Sequence, residues 1–113
     1  MASEVKITTT VAKVLRVFLE EPAQLRYGFE IMQLTRLASG TLYPILARLE
    51  QAGWLVGRQE DIDPASSGRP RRRLYMISEQ GVEGARYELA ALSEQLRPPA
   101  IGPLNPRSRG SET

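Results

Sequence analysis

The chain has no cysteine and no histidine among its 113 residues. Without cysteine there is no disulfide and no thiolate nucleophile. Without histidine there is no imidazole acid or base, and most zinc sites lose their ligands. The missing cysteine fits the cytoplasm. Aromatic residues are scarce at 6%, with one tryptophan, Trp54. No apolar run approaches the roughly 20 residues that cross a bilayer, so no membrane partner is expected, and Met1-Ala2-Ser3-Glu4-Val5-Lys6 has no signal-peptide core. No nucleophile–base pair or metal cluster is visible, so an enzyme is the least favoured class and no cofactor is expected. Asp61 and Asp63 are a loop pair with nothing apolar around them to raise a pKa. A large excess of one charge is also lacking, the net being +2. What remains is an ordinary soluble composition, 42% hydrophobic and 25% charged, in a chain long enough for one domain. A core of this size is adequate but small, so burial against a second copy would help it.

The charge that is present is concentrated. Residues 64 to 77 hold Arg69, Arg71, Arg72 and Arg73 and no acid, a local +4, offset by Glu60, Asp61 and Asp63 just before them. A chain that is nearly neutral overall can carry a strongly positive feature.

Apolar spacing organises the rest. Val11, Val14, Leu15, Phe18 and Leu19 predict a helix from about Thr9 to Glu20, capped by one of Thr8 to Thr10 and ended by Pro22. Tyr27, Ile31 and Leu34 share a face of a shorter helix, Tyr27 to about Thr35. Thr35 to Ser39 reads as a turn with Leu37 buried in it. A third helix carries Leu42, Ile45, Leu46 and Leu49 as its core stripe. With Thr41 as its N-cap, Pro44 falls in the first turn and costs nothing; with Ser39 as the cap, Pro44 removes a hydrogen bond. Backbone grounds favour Thr41. Gly53 ends this helix in a left-handed cap, and Trp54 either plugs the corner that follows or stacks on a ligand. Trp54 to Glu60 and Arg72 to Ile77 read as strands joined by a Pro/Gly/Ser loop. Ser78 caps a last helix running to about Leu96, where Pro98-Pro99 stop it. Residues 98 to 113 read as a disordered tail.

Helix, turn, helix, strand, basic tip and returning strand are the parts of a winged helix-turn-helix. The expected fold is mainly α with a small β-hairpin (α+β), divided as a DNA-binding unit at 1 to 77, a dimerisation helix at 78 to 97, and the tail. A helix lying in a major groove reaches bases and phosphates with its N-terminal residues. Here those are Ser39, Gly40, Thr41, Tyr43 and Pro44, with Arg48 about two turns on. Hydroxyls and free amides suit phosphate oxygens. No Asn, Gln or Arg stands at the helix start, so base reading by bidentate pairs is sparse. Arg69, Arg71, Arg72 and Arg73 form a candidate wing tip for phosphates or the minor groove. Strand alternation puts Arg71 and Arg73 on one face and Arg72 on the other. Val82, Ala85, Leu89, Leu92 and Leu96 recur at 3, 4, 3 and 4, a two-heptad seam for a homodimer. Tyr87 lies beside that seam and, with Trp54, is a candidate ligand-pocket residue. The blander readings are a solvated helix face, a solubilising charge run and an amphipathic helix lying on its own domain.

With these residues in view, the chain resembles the PadR family of bacterial transcriptional regulators. The likeness lies in Gly40-Thr41-Leu42-Tyr43-Pro44 with Leu46, Arg48-Leu49-Glu50 and Gly53. It continues in Gly68-Arg69-Pro70-Arg71, Leu74-Tyr75, Ile77-Ser78, Gly81 and Ala85, and covers roughly residues 10 to 95. The resemblance implies a cytoplasmic, nucleoid-associated repressor that dimerises through its C-terminal helix and binds double-stranded DNA at a two-fold operator. It implies a Tyr43 contact to a phosphate and wing arginines near the minor groove. It looks like the short subgroup with a single C-terminal helix. Family members that sense small aromatic compounds or drugs often do so between subunits, which makes a small aromatic effector a candidate partner. The chain differs from the family pattern in its longer, acidic wing start, Glu60 to Asp63, and its Pro-rich tail. A winged-helix module that binds protein and not DNA is the alternative.

Overall fold

The computed structural model describes residues 5–104. The elements are α1 (Thr9–Glu20), β1 (Arg26–Tyr27), α2 (Gly28–Thr35), α3 (Ser39–Gln51), β2 (Leu55–Gln59), α4 (Pro64–Ser67), β3 (Arg73–Ile77) and α5 (Glu79–Leu96). The Thr8 side chain accepts from the Val11 amide at 3.1 Å and caps α1, an arrangement worth about 1 kcal/mol. The apolar spacing of α1 puts Val11, Val14, Leu15 and Phe18 into the core, where Ile31, Leu42, Leu46, Leu49, Leu55 and Ile77 meet them. Burial of each such side chain stabilises the fold by about 1.5–3 kcal/mol.

The sheet has three strands in the order β1-β3-β2, all antiparallel, so the expected two-stranded hairpin gains a third member. β1 is only Arg26 and Tyr27, paired with Tyr75 and Leu74. Tyr27 therefore belongs to a strand, and α2 starts one residue later than its apolar spacing predicts. Leu34, expected on the buried face of α2, is 56% exposed; Ile31 alone of that face is fully buried. β2 and β3 pair Leu55 with Ile77 through Gln59 with Arg73, slightly inside the expected strands. The stretch expected to be wholly loop contains α4, in which Asp63 caps the Ala65 amide at 3.1 Å, Pro64 opens the turn and Gly68 closes it at φ 73°.

The start of α3 corrects the preferred reading. Its N-cap is Ala38, which has no capping side chain, and Pro44 stands inside the helix. Thr41 is in the first turn, not at the cap. The carbonyl of Gly40 thus loses the amide it would have received from position 44. At the other end Trp54 N–H donates to Leu49 O at 2.9 Å and Gly53 N–H to Glu50 O at 3.0 Å, with Gly53 at φ 83°. This is a Schellman closure, and it turns the chain directly into β2.

α5 begins at Ser78, whose hydroxyl accepts from Gly81 N–H at 3.0 Å and donates to Gly53 O at 2.6 Å. A Cβ at Gly81 would strike the Trp54 carbonyl and the Ile77 side chain, and one at Gly84 would strike the Trp54 ring. The two glycines let α5 lie flat on the tryptophan. Ala85 is fully buried in the same core as α1. Residues 98 to 104 are exposed and outside any helix or strand; the expected tail from 105 to 113 lies outside the described residues. None of the described helices is long and apolar enough to cross a membrane.

Candidate nucleic-acid interface

Burial of Leu42, Ile45, Leu46 and Leu49 leaves one outward face on α3. Ser39, Gly40, Thr41, Tyr43, Pro44 and Arg48 all lie exposed on it. The Thr41 and Leu42 amides both donate to Ala38 O, at 3.0 and 2.9 Å. The Ser39 and Gly40 amides open the helix with no intrahelical acceptor, because nothing precedes them in the ladder. The carbonyl that Pro44 leaves without a donor, that of Gly40, points along the helix toward the proline ring and not out of the tip. The tip therefore offers two amide donors and the Ser39 and Thr41 hydroxyls. A Cβ at Gly40 would meet nothing within 4 Å, and Gly40 has no positive φ. Packing inside the chain does not call for a glycine there, although glycine in a helix costs about 1 kcal/mol relative to alanine.

Tyr43 is 44% exposed. Its phenol lies against Gly28 so closely that a Cβ at that residue would overlap it. Gly28, the first residue of α2, thus makes the slot that orients the Tyr43 ring across the two helices.

The wing is ordered differently. Glu60 gathers its base: Arg69 donates through both terminal nitrogens to the two carboxylate oxygens at 2.7 and 2.9 Å, Arg72 N–H donates at 3.2 Å and the Tyr27 hydroxyl at 3.2 Å. The Arg69 hydrogen bonds, with those from Arg72 and Tyr27, hold the Glu60 carboxyl down at about 2 against its ordinary 4.5. Arg73 donates to Glu50 of α3 at 2.5 Å, which raises its pKa above the usual guanidinium value. Gly57 leaves room for that pair, since a Cβ there would touch both partners. Arg72 stacks over the Tyr27 ring at 4.9 Å. Arg71 donates through Nε to the Ile62 carbonyl at 2.9 Å.

Arg72 and Arg73 thus turn to opposite sides of the sheet, as alternation predicts. Arg71 precedes β3, so its direction is set by the Ile62 carbonyl and not by the pleat. Two of the four wing arginines, Arg69 and Arg73, are neutralised by carboxylates of the chain itself. Sequence reasoning missed Glu60, Glu50 and Tyr27 as their partners. These lie 9 to 45 positions from the arginines they hold, beyond any local pattern.

The seam of α5 divides. Ala85 is buried, Val82 and Leu89 pack against the chain's own core, Leu92 is half-buried and Leu96 is 62% exposed. The outer half, with Arg16 and Leu19 of α1, lines an open groove of about 790 Å³. Trp54 and Tyr87 both border a shallow hollow of about 270 Å³ with Gln80, Glu83 and Gly84. Trp54 is 5% exposed and Tyr87 73%, so Tyr87 supplies most of the accessible aromatic surface. Among the described residues no cluster of acids could hold a metal ion.

The profile of the transcriptional regulator PadR-like family matches residues 14–86. No curated protein matches the chain in sequence. Among solved structures, a transcriptional regulator homologue from Pyrococcus horikoshii OT3 is 18% identical, with a TM-score of 0.64 over 79% of this chain and 81% of that one. The overoxidized form of AbfR bound to DNA is 24% identical, with a TM-score of 0.62 over 94% of this chain and 67% of that one. ZitR of Lactococcus lactis, a zinc-responsive MarR family member, is 17% identical, with a TM-score of 0.59 over 83% of this chain. The chain spans 59% of the length of ZitR. At these identities the likenesses show the winged-helix fold.

Proposed function

The chain belongs to the transcriptional regulator PadR-like family, and we propose that it is a repressor that binds a two-fold operator as a homodimer through the exposed face of α3. It is a regulator and not an enzyme. The observation that carries the reading is the tip of α3. Two amides without intrahelical acceptors and two exposed hydroxyls surround a glycine that the fold does not require. Such a tip matches phosphate oxygens and groove edges. Ser39, Gly40 and Thr41 approach the duplex, Tyr43 donates its hydroxyl to a phosphate, Pro44 shapes the turn and Arg48 reaches the backbone further on. The wing contributes Arg71 and Arg72, whereas Arg69 and Arg73 act first on the wing's own shape.

The half-buried Leu92 and exposed Leu96, with the groove they border, support pairing of two α5 helices, which would set two α3 tips on one face of a duplex. The hollow at Trp54 and Tyr87 is the proposed place for a small aromatic effector that releases the operator. AbfR forms a disulfide and ZitR responds to zinc. This chain has no thiol to oxidise and no imidazole to bind zinc, so an effector at this hollow would be held by other contacts, among them the Tyr87 ring.

The test is selection of bound duplexes from a random pool, followed by Tyr43→Phe on the selected site. Palindromic winners, a dimer in ultracentrifugation and about tenfold weaker binding by Tyr43→Phe at unchanged Tm are expected, roughly 1.4 kcal/mol. Unaltered affinity removes Tyr43 from the interface. A chain that retains no duplex even at low salt is a protein-binding module instead.

A further inference from the structure

Arg36 is the non-glycine residue with positive φ among the described residues, at φ 64° and ψ 21°. It ends α2. Thr35 Oγ donates to Ile31 O at 2.7 Å, and Arg36 N–H donates to Met32 O at 2.7 Å. This left-handed end is the position where helices ordinarily place glycine, because a Cβ crowds the following carbonyl. Strain held at one point of a backbone is a reason to look for a use.

The side chain offers one. Arg36 is exposed, and it has no ion pair among the described residues. Arg26, Arg69, Arg73 and Arg97 each have a carboxylate partner. Arg36 stands two residues before Ala38, the N-cap of α3, and three before Ser39, whose amide is free. Three residues span at most ~10 Å, so the Arg36 backbone lies within that distance of the tip that carries the proposed contact.

We propose that Arg36 grips a DNA phosphate beside the one approached by the α3 tip, and that its charge is what the strained position keeps. The inference rests on duplex binding through α3. A guanidinium suits the task because its planar fork binds a phosphate through two hydrogen bonds and stays charged at any working pH.

Arg36→Gly separates charge from structure, since glycine fits the backbone better than arginine does. The variant should melt at the same or a higher temperature. Its binding to the selected duplex should lose about 0.9 from the salt slope per subunit, which amounts to about eightfold per subunit between 1 M and 0.1 M salt. Arg36→Lys, which keeps the charge, should retain the slope. An Arg36→Gly protein that binds with wild-type slope and affinity overturns the inference while leaving the α3 reading intact. A lower Tm for Arg36→Gly together with an Arg36→Lys slope as reduced as that of glycine also overturns it, since the residue would then act through structure. Wild-type protein that binds no duplex removes the underlying reading, and this one with it.

Discussion

The tip of α3 and the wing both look poised for DNA in the sequence, yet the fold treats them in opposite ways. At the tip the chain leaves polar groups unpaired: no side chain caps the helix at Ala38, the Ser39 and Gly40 amides have no intrahelical acceptor, and Gly40 has empty space beside it. At the wing it spends its own acids on its own arginines, Glu60 on Arg69 and Glu50 on Arg73. A count of arginines therefore overstates what the wing can give a polyanion, and a count of charges at the tip understates what its backbone can give. On the proposed reading, binding energy at the tip comes from exposed groups fixed in direction by the helix. At the wing it requires either the cations without a carboxylate partner or the breaking of an internal pair.

The sharpest way to break this contrast is to free the wing. In Glu60→Gln with Glu50→Gln, Arg69 and Arg73 lose their carboxylates. Two more cations per subunit then face a phosphate backbone, so the salt slope on random duplex should steepen by about 1.8 per subunit, roughly sixtyfold per subunit between 1 M and 0.1 M salt. An unchanged slope would show that these arginines already reach DNA despite their partners. The single substitutions Arg71→Ala and Arg69→Ala sharpen the same point. The first should lower the slope by about 0.9 per subunit, or eightfold per subunit over that range. The second should leave the slope nearly unchanged, because Arg69 is already matched by Glu60.

The wing pair also predicts a pH dependence. Glu60 titrates at about 2 in the folded chain against an ordinary 4.5. A carboxyl depressed on folding contributes stability that is fully present above its unfolded value and is lost as pH falls through the folded one. The Tm should therefore drop as pH falls from 4.5 toward 2, and Glu60→Gln should flatten that part of the curve. Equal slopes in the two proteins would mean that the Arg69 pair does not order the wing in solution.

Some of this was legible in the residues. α1 and α5 announce themselves, because Thr8 and Ser78 cap them and their apolar residues recur without interruption. The exposed face of α3 follows directly from the spacing of Leu42, Ile45, Leu46 and Leu49. β1 is not legible, since two residues become a strand only by pairing with β3. α4 had its cap, its proline and its closing glycine in view, but a four-residue helix with no buried residue has no stripe to reveal it. The start of α3 misled because local backbone preference favours proline in the first turn, whereas the packed fold begins the helix earlier and accepts the broken rung. The carboxylate partners of Arg69 and Arg73 depend on how strands align, which no local spacing encodes.

The smallest expected effect is the most discriminating. Gly40→Ala adds one methyl group to a helix position with open space around it. Alanine is the better helix former by about 1 kcal/mol, so thermal denaturation should show a Tm higher by a few degrees, in line with about 4–8 °C per kcal/mol for a domain near this size. Against the selected duplex the same methyl stands where the backbone must come close, and affinity should fall by about threefold, near 0.7 kcal/mol. Opposite signs for folding and binding would mark Gly40 as a residue kept for its partner. A gain in both would mean that the duplex does not press on this turn of α3, and the contact would then have to move along the helix toward Tyr43 and Arg48.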